Sequence, residues 1–495
     1  MRWRWCASLV AAVLGWAAAG PLRAEPIEIE LEMVMQSAPG QIAVGERTLH
    51  RPPRPQDFHH MHFSGGGRLE LAGERFAAAV QSEPSYRAEH PLRQVAQLAG
   101  QDFAFVLDKK EEDSELYDVL YFDRSGRGDL AHEEPIEVAP DGRRVSGESW
   151  SLRFPPIDLE LSSGGIRYPY RVVIEATCSP RQVTTGVGQV QTIRQIRVSL
   201  AGAAHREGMA LVGGVPRRFI LLDQMSTGRF DRFPVRLLYR IPASPGRPAE
   251  EGETLQAVNW LLVDPEPSDV YASQEVTAAP GQHLLSSLLQ WDGEFYDVAV
   301  TPGGERLTLT PSARPTGQLR GAGADVTAVF FGEPGAVTVE GGPDRPMVLP
   351  EGEWRLLSYT IDLTGREQRE AEVPTAAEEG SLLPRLAQPH ATVASPPNRP
   401  PQRTVLHAAA RGGAAVNVVA GEVVESPLGP PFRPVINVTP DTRREGTVNL
   451  GVVFLGAYGE WITHLLVAGT PPAHPTFQVL DPNDEVVASG QFEYG

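Results

Sequence analysis

A twelve-residue segment that begins at Asp123 carries oxygen-bearing side chains at the spacing of a calcium-binding loop. Calcium takes six to eight oxygen ligands, and the EF-hand loop supplies them from positions 1, 3, 5, 7 and 12, with glycine at position 6 for a sharp turn. Gly128 stands at position 6, but Arg127 stands at position 5, where its positive charge disfavours a cation. The segment therefore predicts a degenerate calcium loop. Its candidate ligands are Asp123, Ser125, Asp129 and Glu134.

A second segment, 100 residues later, repeats this frame in a more degenerate form. Asp223 stands at position 1 and Gly228 at position 6, and the candidate calcium ligands are Asp223 and Thr227. Met225 and Pro234 occupy positions 3 and 12, where oxygen ligands are needed, so we expect weaker binding than in the first segment. For both segments the alternative is an acidic turn that keeps its hairpin geometry without a metal ion.

The run from Phe58 to Phe63 contains three histidines. In a β-strand, His60 and His62 would lie on one face, and a His-x-His pair forms half of many zinc or copper sites. A catalytic zinc needs a third protein ligand and an open position, and no sequence signal supplies that ligand. The pair therefore predicts either a transition-metal site or a solvated loop edge.

Short signatures of catalysis are absent from the sequence. It contains no G-x-S-x-G elbow, H-E-x-x-H helix, Walker glycine loop, Rossmann fingerprint or C-x-x-C pair. A glycosidase that uses two carboxylates leaves no short motif, so the 62 acidic residues keep that reaction open. We therefore identify no catalytic residue and no organic cofactor.

The elements that must position these residues are mainly β-strands. Glycine (49) and proline (45) are frequent, and apolar residues fall in short alternating runs. Residues 27–33 alternate cleanly and predict one half-buried strand, and residues 103–107 and 117–122 predict a hairpin around a charged tip. Helix is predicted only in short pieces, such as residues 87–98 and 283–289.

Proline and glycine clusters divide the chain into several predicted regions. We expect β-sandwich or immunoglobulin-like domains joined by Pro-rich linkers, because two of the regions are near the ~100 residues of such a domain. The predicted regions are a signal peptide (1–24), an N-terminal β-rich region with the two calcium-type loops (25–245), a middle β-sandwich domain (255–370), a Pro-rich linker (371–403) and a C-terminal β-sandwich domain (404–495).

Composition narrows the compartment and the partners. A basic start followed by an apolar stretch that is too short to span a bilayer predicts a cleaved export signal, and no later segment is apolar enough to span one. Cleavage after residue 24 would change the formal net charge from −18 to about −21, which disfavours nucleic acid and anionic membranes as partners. Cys178 would then be the one remaining cysteine, so no internal disulfide is predicted.

Two resemblances add to these residues. The runs Val119–Asp123 with Gly128–Leu130, and Arg218–Asp223 with Gly228–Asp231, resemble the strand-and-loop units of uncharacterised exported β-rich bacterial proteins with EF-hand-like loops. That likeness implies export and calcium-type loops but no activity. The strands around residues 328–356 resemble carboxypeptidase-regulatory-like modules, which implies a small sandwich.

Together these features predict a periplasmic or secreted, non-enzymatic protein with a binding or structural role toward an envelope or extracellular ligand. Weak calcium binding at its first loop is an additional hypothesis beside the metal-free turn. Two alternatives remain. The first is an exported hydrolase, either metal-assisted through His60 and His62 or carboxylate-based. The second is a lectin-like glycan binder.

Overall fold

The computed structural model describes residues 25–51, 53–63, 73–184, 190–241, 250–256, 259–265, 281–321, 324–362, 405–411, 415–426, 428–429, 432–440, 448–457, 459, 461–467 and 473–493. The predicted signal peptide and the predicted linker at 371–403 lie outside these residues.

The fold is mainly β, as the alternating apolar runs predict. The first strands are β1 (Ile27–Glu30), β2 (Glu32–Met35), β3 (Gln41–Val44), β4 (Arg47–His50), β5 (Gln56–Phe63), β6 (Leu92–Leu98), β7 (Gln101–Asp108), β8 (Val119–Phe122), β9 (Ile136–Glu137), β10 (Arg143–Ser146), β11 (Ser149–Arg153) and β12 (Ile157–Ser163). The next are β13 (Ile166–Thr184), β14 (Val190–Gly202), β15 (Ala204–Val212), β16 (Val215–Asp223), β17 (Val235–Ile241), β18 (Glu250–Gln256) and β19 (Asn259–Val263).

The later strands continue the same pattern of short antiparallel segments. They are β20 (Gln282–Leu284), β21 (Leu288–Trp291), β22 (Glu294–Val300), β23 (Arg306–Pro311), β24 (Thr316–Arg320), β25 (Asp325–Gly332), β26 (Gly335–Gly341), β27 (Met347–Pro350) and β28 (Gly352–Asp362). The last are β29 (Val405–Arg411), β30 (Val416–Val418), β31 (Val423–Glu425), β32 (Arg433–Pro440), β33 (Val448–Leu455), β34 (Trp461–Val467), β35 (Thr476–Leu480) and β36 (Val486–Gln491). The helical elements among the described residues are α1 (Gly73–Ala79) and a 3-10 turn (Pro140–Gly142).

Five sheets carry most of the strands. Their orders are β10-β11-β13-β14-β5 with β12 also on β13, β2-β15-β16-β19-β20, β6-β7-β8-β9, β1-β23-β22-β21, and β26-β25-β28-β29-β34-β33-β32 with β30 also on β28. Side chains from the first four of these sheets share one large apolar core, in which Phe105, Leu200, Phe219 and Leu309 are fully buried. A second core surrounds Phe330 and Trp354.

The predicted single strand at residues 27–33 is two strands in two different sheets. β1 pairs with β23 and β2 pairs with β15. The chain changes sheets at Leu31, whose N–H donates to the Glu305 carbonyl (2.8 Å) and whose carbonyl accepts from Arg206 Nη1 (3.3 Å). The predicted alternation holds across this change, because Ile29 and Leu31 are buried while the glutamates beside them are exposed.

The other local predictions have mixed outcomes. The hairpin around the charged tip is confirmed, since β7 and β8 pair antiparallel. The two helical pieces are wrong: residues 92–98 form β6 against β7, and residues 282–284 and 288–291 form β20 and β21. Cross-strand partners override local helix propensity at these positions.

Strand pairing also crosses the predicted division at residues 245–255. β16 pairs with β19, and β1 pairs with β23, so strands on the two sides of this division share sheets. The eight-stranded sheet likewise joins β28 to β29, on opposite sides of the predicted linker. Among the helices described, neither is long and apolar enough to cross a membrane.

Candidate functional site

The first calcium-type loop closes around the carboxylate of Asp123, which follows β8. Its Oδ2 accepts a hydrogen bond from Gly128 N (2.5 Å), and its Oδ1 accepts from Ser125 Oγ (2.9 Å) and Arg127 N (3.2 Å). The Asp123 side chain is buried, and these donors within the loop replace the water that a buried carboxylate loses. The loop therefore holds its shape through the protein's own donors.

The other predicted ligands of this loop point in different directions. The Asp129 carboxylate accepts a short hydrogen bond from Ser82 Oγ and contacts His132 Nδ1 (2.7 Å). The Ser82 hydrogen bond, with a smaller effect of His132, lowers the pKa of Asp129. Glu134 is exposed. The structure thus does not gather Asp129 and Glu134 around Asp123 in the way the sequence spacing suggests.

Glu133, which the sequence analysis did not select, is the acidic residue that folds back onto this loop. Its Oε1 accepts from Arg124 N at 3.1 Å. Burial raises the pKa of Glu133, and the nearby carboxylates of Asp123 and Asp129 raise it further. Position 12 of an EF-hand is set by a following helix. Here a β-strand, β9, follows the loop instead. Glu133, one position before Glu134, is therefore the residue that faces the loop.

The second loop closes in the same way around Asp223, the last residue of β16. Asp223 Oδ2 accepts from Gly228 N (2.5 Å) and from the Tyr170 hydroxyl (2.8 Å), and Oδ1 accepts from Thr227 Oγ1 (3.2 Å). The carboxylate lies inside the protein, and burial raises the pKa values of both Asp223 and Tyr170. Each carboxylate oxygen already has a protein donor, as in the first loop.

The two loops therefore have the same geometry, and we call them the corner loops. Gly128 and Gly228 both have left-handed φ values (+76° and +72°), and an ideal Cβ would lie 2.2 Å from the Ala79 carbonyl oxygen or 2.5 Å from Leu161 Cδ1, respectively. Two residues after each glycine, the apolar side chains of Leu130 and Phe230 are fully buried. This geometry requires glycine and an aspartate acceptor whether or not a metal ion binds.

No cluster of three or more His, Cys, Asp or Glu side chains suited to holding a metal ion occurs within the described residues. Calcium at Asp123, Ser125, Asp129 and Glu134, or at Asp223 and Thr227, stays a prediction.

The predicted His-x-His pair lies on β5, although the side chains of His60 and His62 are outside what the structure describes. In the antiparallel register with β14, His60 stands opposite Ile196 and His62 opposite Arg194. Phe58, two residues before His60, packs edge-on against Phe105 at 5.5 Å between ring centroids. The backbone of the pair therefore lies in a β-strand.

A cleft that the sequence analysis did not predict opens where β1 and β2 diverge at Leu31. We call it the acidic cleft, and its volume is about 790 Å³. It is lined by Glu30, Leu31, Glu32, Val34, Ile166, Glu207, Gly208, Met209, Thr301, Glu305 and Arg306. These residues come from segments up to 276 positions apart, so no local spacing could reveal the cleft.

Two carboxylates of the acidic cleft are held by arginines from the adjacent strands. Glu207 accepts from Arg218 Nε (2.8 Å) and Nη2 (2.9 Å), and the hydrogen bond to Arg218 lowers the pKa of Glu207. Glu305 accepts from Arg206 Nη2 (3.1 Å) and from Thr301 Oγ1 (2.8 Å). The cleft therefore has two fixed carboxylates in its wall.

The remaining charges of the acidic cleft are exposed at its mouth. Glu30 and Glu32 are exposed, and Arg306 stands opposite Glu30 in the β1–β23 register. His205, two residues before Glu207, is buried, and that burial lowers its pKa. The neutral imidazole therefore adds no charge to the cleft.

Comparisons of the whole chain with protein-family models, with curated proteins and with solved structures find no match.

Proposed function

We propose that this chain is an exported, non-enzymatic binding protein of the bacterial envelope whose ligand occupies the acidic cleft. The observation that carries the proposal is the cleft itself, which sets the exposed apolar side chains of Val34, Ile166 and Met209 beside carboxylates. Apolar surface with a few convergent polar groups is the usual character of a ligand site.

The electrostatics of the acidic cleft favour binding over acid–base catalysis. A glycosidase needs one carboxylic acid whose pKa is raised so that it can donate a proton. Glu207 has the opposite environment, since Arg218 lowers its pKa, and Glu305 is bound by Arg206. Carboxylates fixed in this way act as acceptors and as fixed negative charges.

The proposal also includes export of the chain and weak calcium binding at the first loop. The basic and apolar residues of the first 24 positions support export, which fractionation of the expressing cells tests directly. At the first loop, a calcium ion would offset the repulsion among the carboxylates of Asp123, Asp129 and Glu133, with a dissociation constant of about 10⁻⁴ to 10⁻³ M, the range of extracellular modules.

A ligand panel tests the binding function. The full chain is applied to arrays of glycans and of peptides, and each binder is measured again with Met209→Asp, which places a charge in the cleft. Val145→Asp is the matched control, because Val145 is 56% exposed on β10, outside the cleft. We expect at least one ligand to lose about tenfold in affinity with Met209→Asp and to bind Val145→Asp as tightly as the wild type.

Two results would count against this function. If every binder is unaffected by Met209→Asp, the acidic cleft is not the binding site. If the wild type hydrolyses a panel member and Glu207→Gln abolishes the reaction, the chain is the exported hydrolase of the alternative hypothesis.

A further inference from the structure

The acidic cleft borders a β-strand edge that lacks a partner along half its length. β15 pairs with β16 from His205 to Val212, but on its other side it pairs with β2 only from Ala204 to Glu207. From Met209 to Val212 this side has no hydrogen-bonded strand partner among the described residues. The cause is the change of sheet at Leu31, because β1 turns away to pair with β23 instead of continuing beside β15.

Large apolar side chains are exposed along this free edge. Met209 is 61% and Leu211 is 68% exposed, and both lie on one face of β15 because side chains alternate along a strand. Val215, next to the hairpin turn, is also exposed. An unpaired edge that combines free backbone groups with exposed apolar side chains is a template for an added strand.

The charge around the edge selects the added strand. Glu207 and Glu305 are matched by arginines, and Arg306 stands opposite Glu30, so the exposed Glu32 leaves a net negative charge at the mouth of the acidic cleft. The whole chain has a formal net charge of −18. A partner segment with basic side chains is therefore attracted to this edge, and an acidic segment is repelled.

We propose that β15 binds an extended polypeptide segment of a partner protein, which carries basic and apolar side chains on one face, as an added strand beside residues 209–212. The exposed face of β15 accounts for this composition. Glu207, Met209 and Leu211 occupy alternate positions of β15 and therefore share one face, so the same face of the added strand meets the acidic cleft and the exposed apolar side chains. This inference rests on the proposed binding function and names the ligand class.

Fluorescence anisotropy with three labelled octapeptides tests the proposal. One repeats Val-Thr-Lys-Thr, so that valine and lysine share one face, the second has glutamate in place of lysine, and the third is this valine–lysine peptide with alternate backbone nitrogens methylated. We expect the first peptide to bind at least about tenfold more tightly than either of the others, because the second has the wrong charge and the third lacks half its strand-pairing N–H groups.

Paired variants locate the binding. Leu211→Ser and the double variant Glu30→Gln with Glu32→Gln should each weaken binding of the valine–lysine peptide about fivefold or more. Their matched controls are Val145→Ser and the double variant Glu46→Gln with Glu112→Gln, at exposed positions outside the acidic cleft, which should bind as the wild type does. Circular dichroism of each variant confirms that the strands remain folded.

Three outcomes would overturn the inference: equal affinity for the valine–glutamate peptide, equal affinity for the methylated peptide, or no binding of the valine–lysine peptide at about 1 mM. Failure of the proposed function is a separate result. A glycan whose binding is lost with Met209→Asp would support the cleft as a binding site and would overturn only the added strand. If no binder depends on Met209, both the proposed function and the added strand are overturned.

Discussion

Single buried carboxylates decide the geometry of both corner loops. Asp223 is enclosed by three donors, Gly228 N, Tyr170 OH and Thr227 Oγ1, and the buried Gly228 and Tyr170 groups need a protein acceptor because they cannot reach water. A carboxylate accepts all of them at once, together with the backbone N–H of Thr227, whereas an amide would place its NH₂ group against a backbone N–H. The residue type at this position is therefore fixed by hydrogen bonding alone.

Replacing Asp223 by asparagine tests this account. The amide NH₂ of Asp223→Asn would face the backbone N–H of Thr227 or of Gly228 and leave it unsatisfied, so we expect a loss of about 2 to 3 kcal/mol in the free energy of unfolding, measured by urea denaturation. The control is Asp481→Asn, at an exposed hairpin turn where Asp481 accepts from the N–H groups of Asn483 and Glu485. There water replaces a lost bond, and a loss of less than about 1 kcal/mol is expected.

The wild type and Asp223→Asn also differ in how their stability depends on pH. Burial raises the pKa of Asp223 in the folded state above the ordinary aspartate value of 3.8, so the folded protein takes up this proton more readily than the unfolded chain does. The stabilising contribution of that proton is fully present below pH 3.8 and is lost as the pH rises through the folded pKa. The stability difference between wild type and Asp223→Asn should therefore grow as the pH falls, and a difference that shrinks would contradict the buried position.

Glycine at the corner gives a second prediction at the residue scale. Gly100 (φ +82°) has nothing within 4 Å of an ideal Cβ, so Gly100→Ala incurs only the strain of the left-handed backbone, about 1 kcal/mol. Gly128→Ala adds a collision with the Ala79 carbonyl and should lower the free energy of unfolding by at least about 2 kcal/mol more. Equal losses of unfolding free energy for the two variants in urea denaturation would contradict the close approach of Gly128 to the Ala79 carbonyl.

At the scale of elements, the sequence predicts a loop better than it predicts what surrounds the loop. Asp123 and Gly128 are five residues apart, and one turn joins them, so their spacing alone reveals the hydrogen bond between them. The choice between Glu133 and Glu134 depends on β9, a strand that follows where an EF-hand has a helix. Tyr170, the third donor to Asp223, is 53 residues away and left no local signal.

Calcium distinguishes the two glutamates of the first loop. With a dissociation constant of 10⁻⁴ to 10⁻³ M, about 10 mM calcium should stabilise the loop by about 1 to 3 kcal/mol, seen as a rise in melting temperature that EGTA reverses. Glu133→Gln should remove this response, because Glu133 faces the loop, and the exposed Glu134→Gln should retain it. The reverse pattern would support the register that the sequence spacing suggests, and no response in the wild type would leave a metal-free corner.

At the scale of the whole molecule, composition locates solvated segments but does not reveal which strands pair. The Pro- and Gly-rich stretch near residues 242–253 breaks the apolar pattern, and the sequence therefore predicts a domain boundary there. Yet the large core combines Phe219 and Leu221, before this stretch, with Leu261, Leu307 and Leu309 after it. Partners so distant along the chain are chosen by packing in the folded state, which a one-dimensional pattern does not encode.

Truncation decides between the compositional boundary and the shared core. A fragment of residues 25–245 retains both corner loops but loses β19 beside β16 and β23 beside β1, which exposes one side of the core. Exposing that apolar surface costs many kcal/mol, whereas the typical free energy of unfolding is only about 5 to 15 kcal/mol. We therefore expect no cooperative thermal transition from this fragment. Residues 25–362 keep every strand of the large core and serve as the control, with a cooperative transition monitored by near-ultraviolet circular dichroism. A cooperative transition in the shorter fragment would show that residues 25–245 fold as a unit, and that the pairings of β19 and β23 join domains that are each already stable.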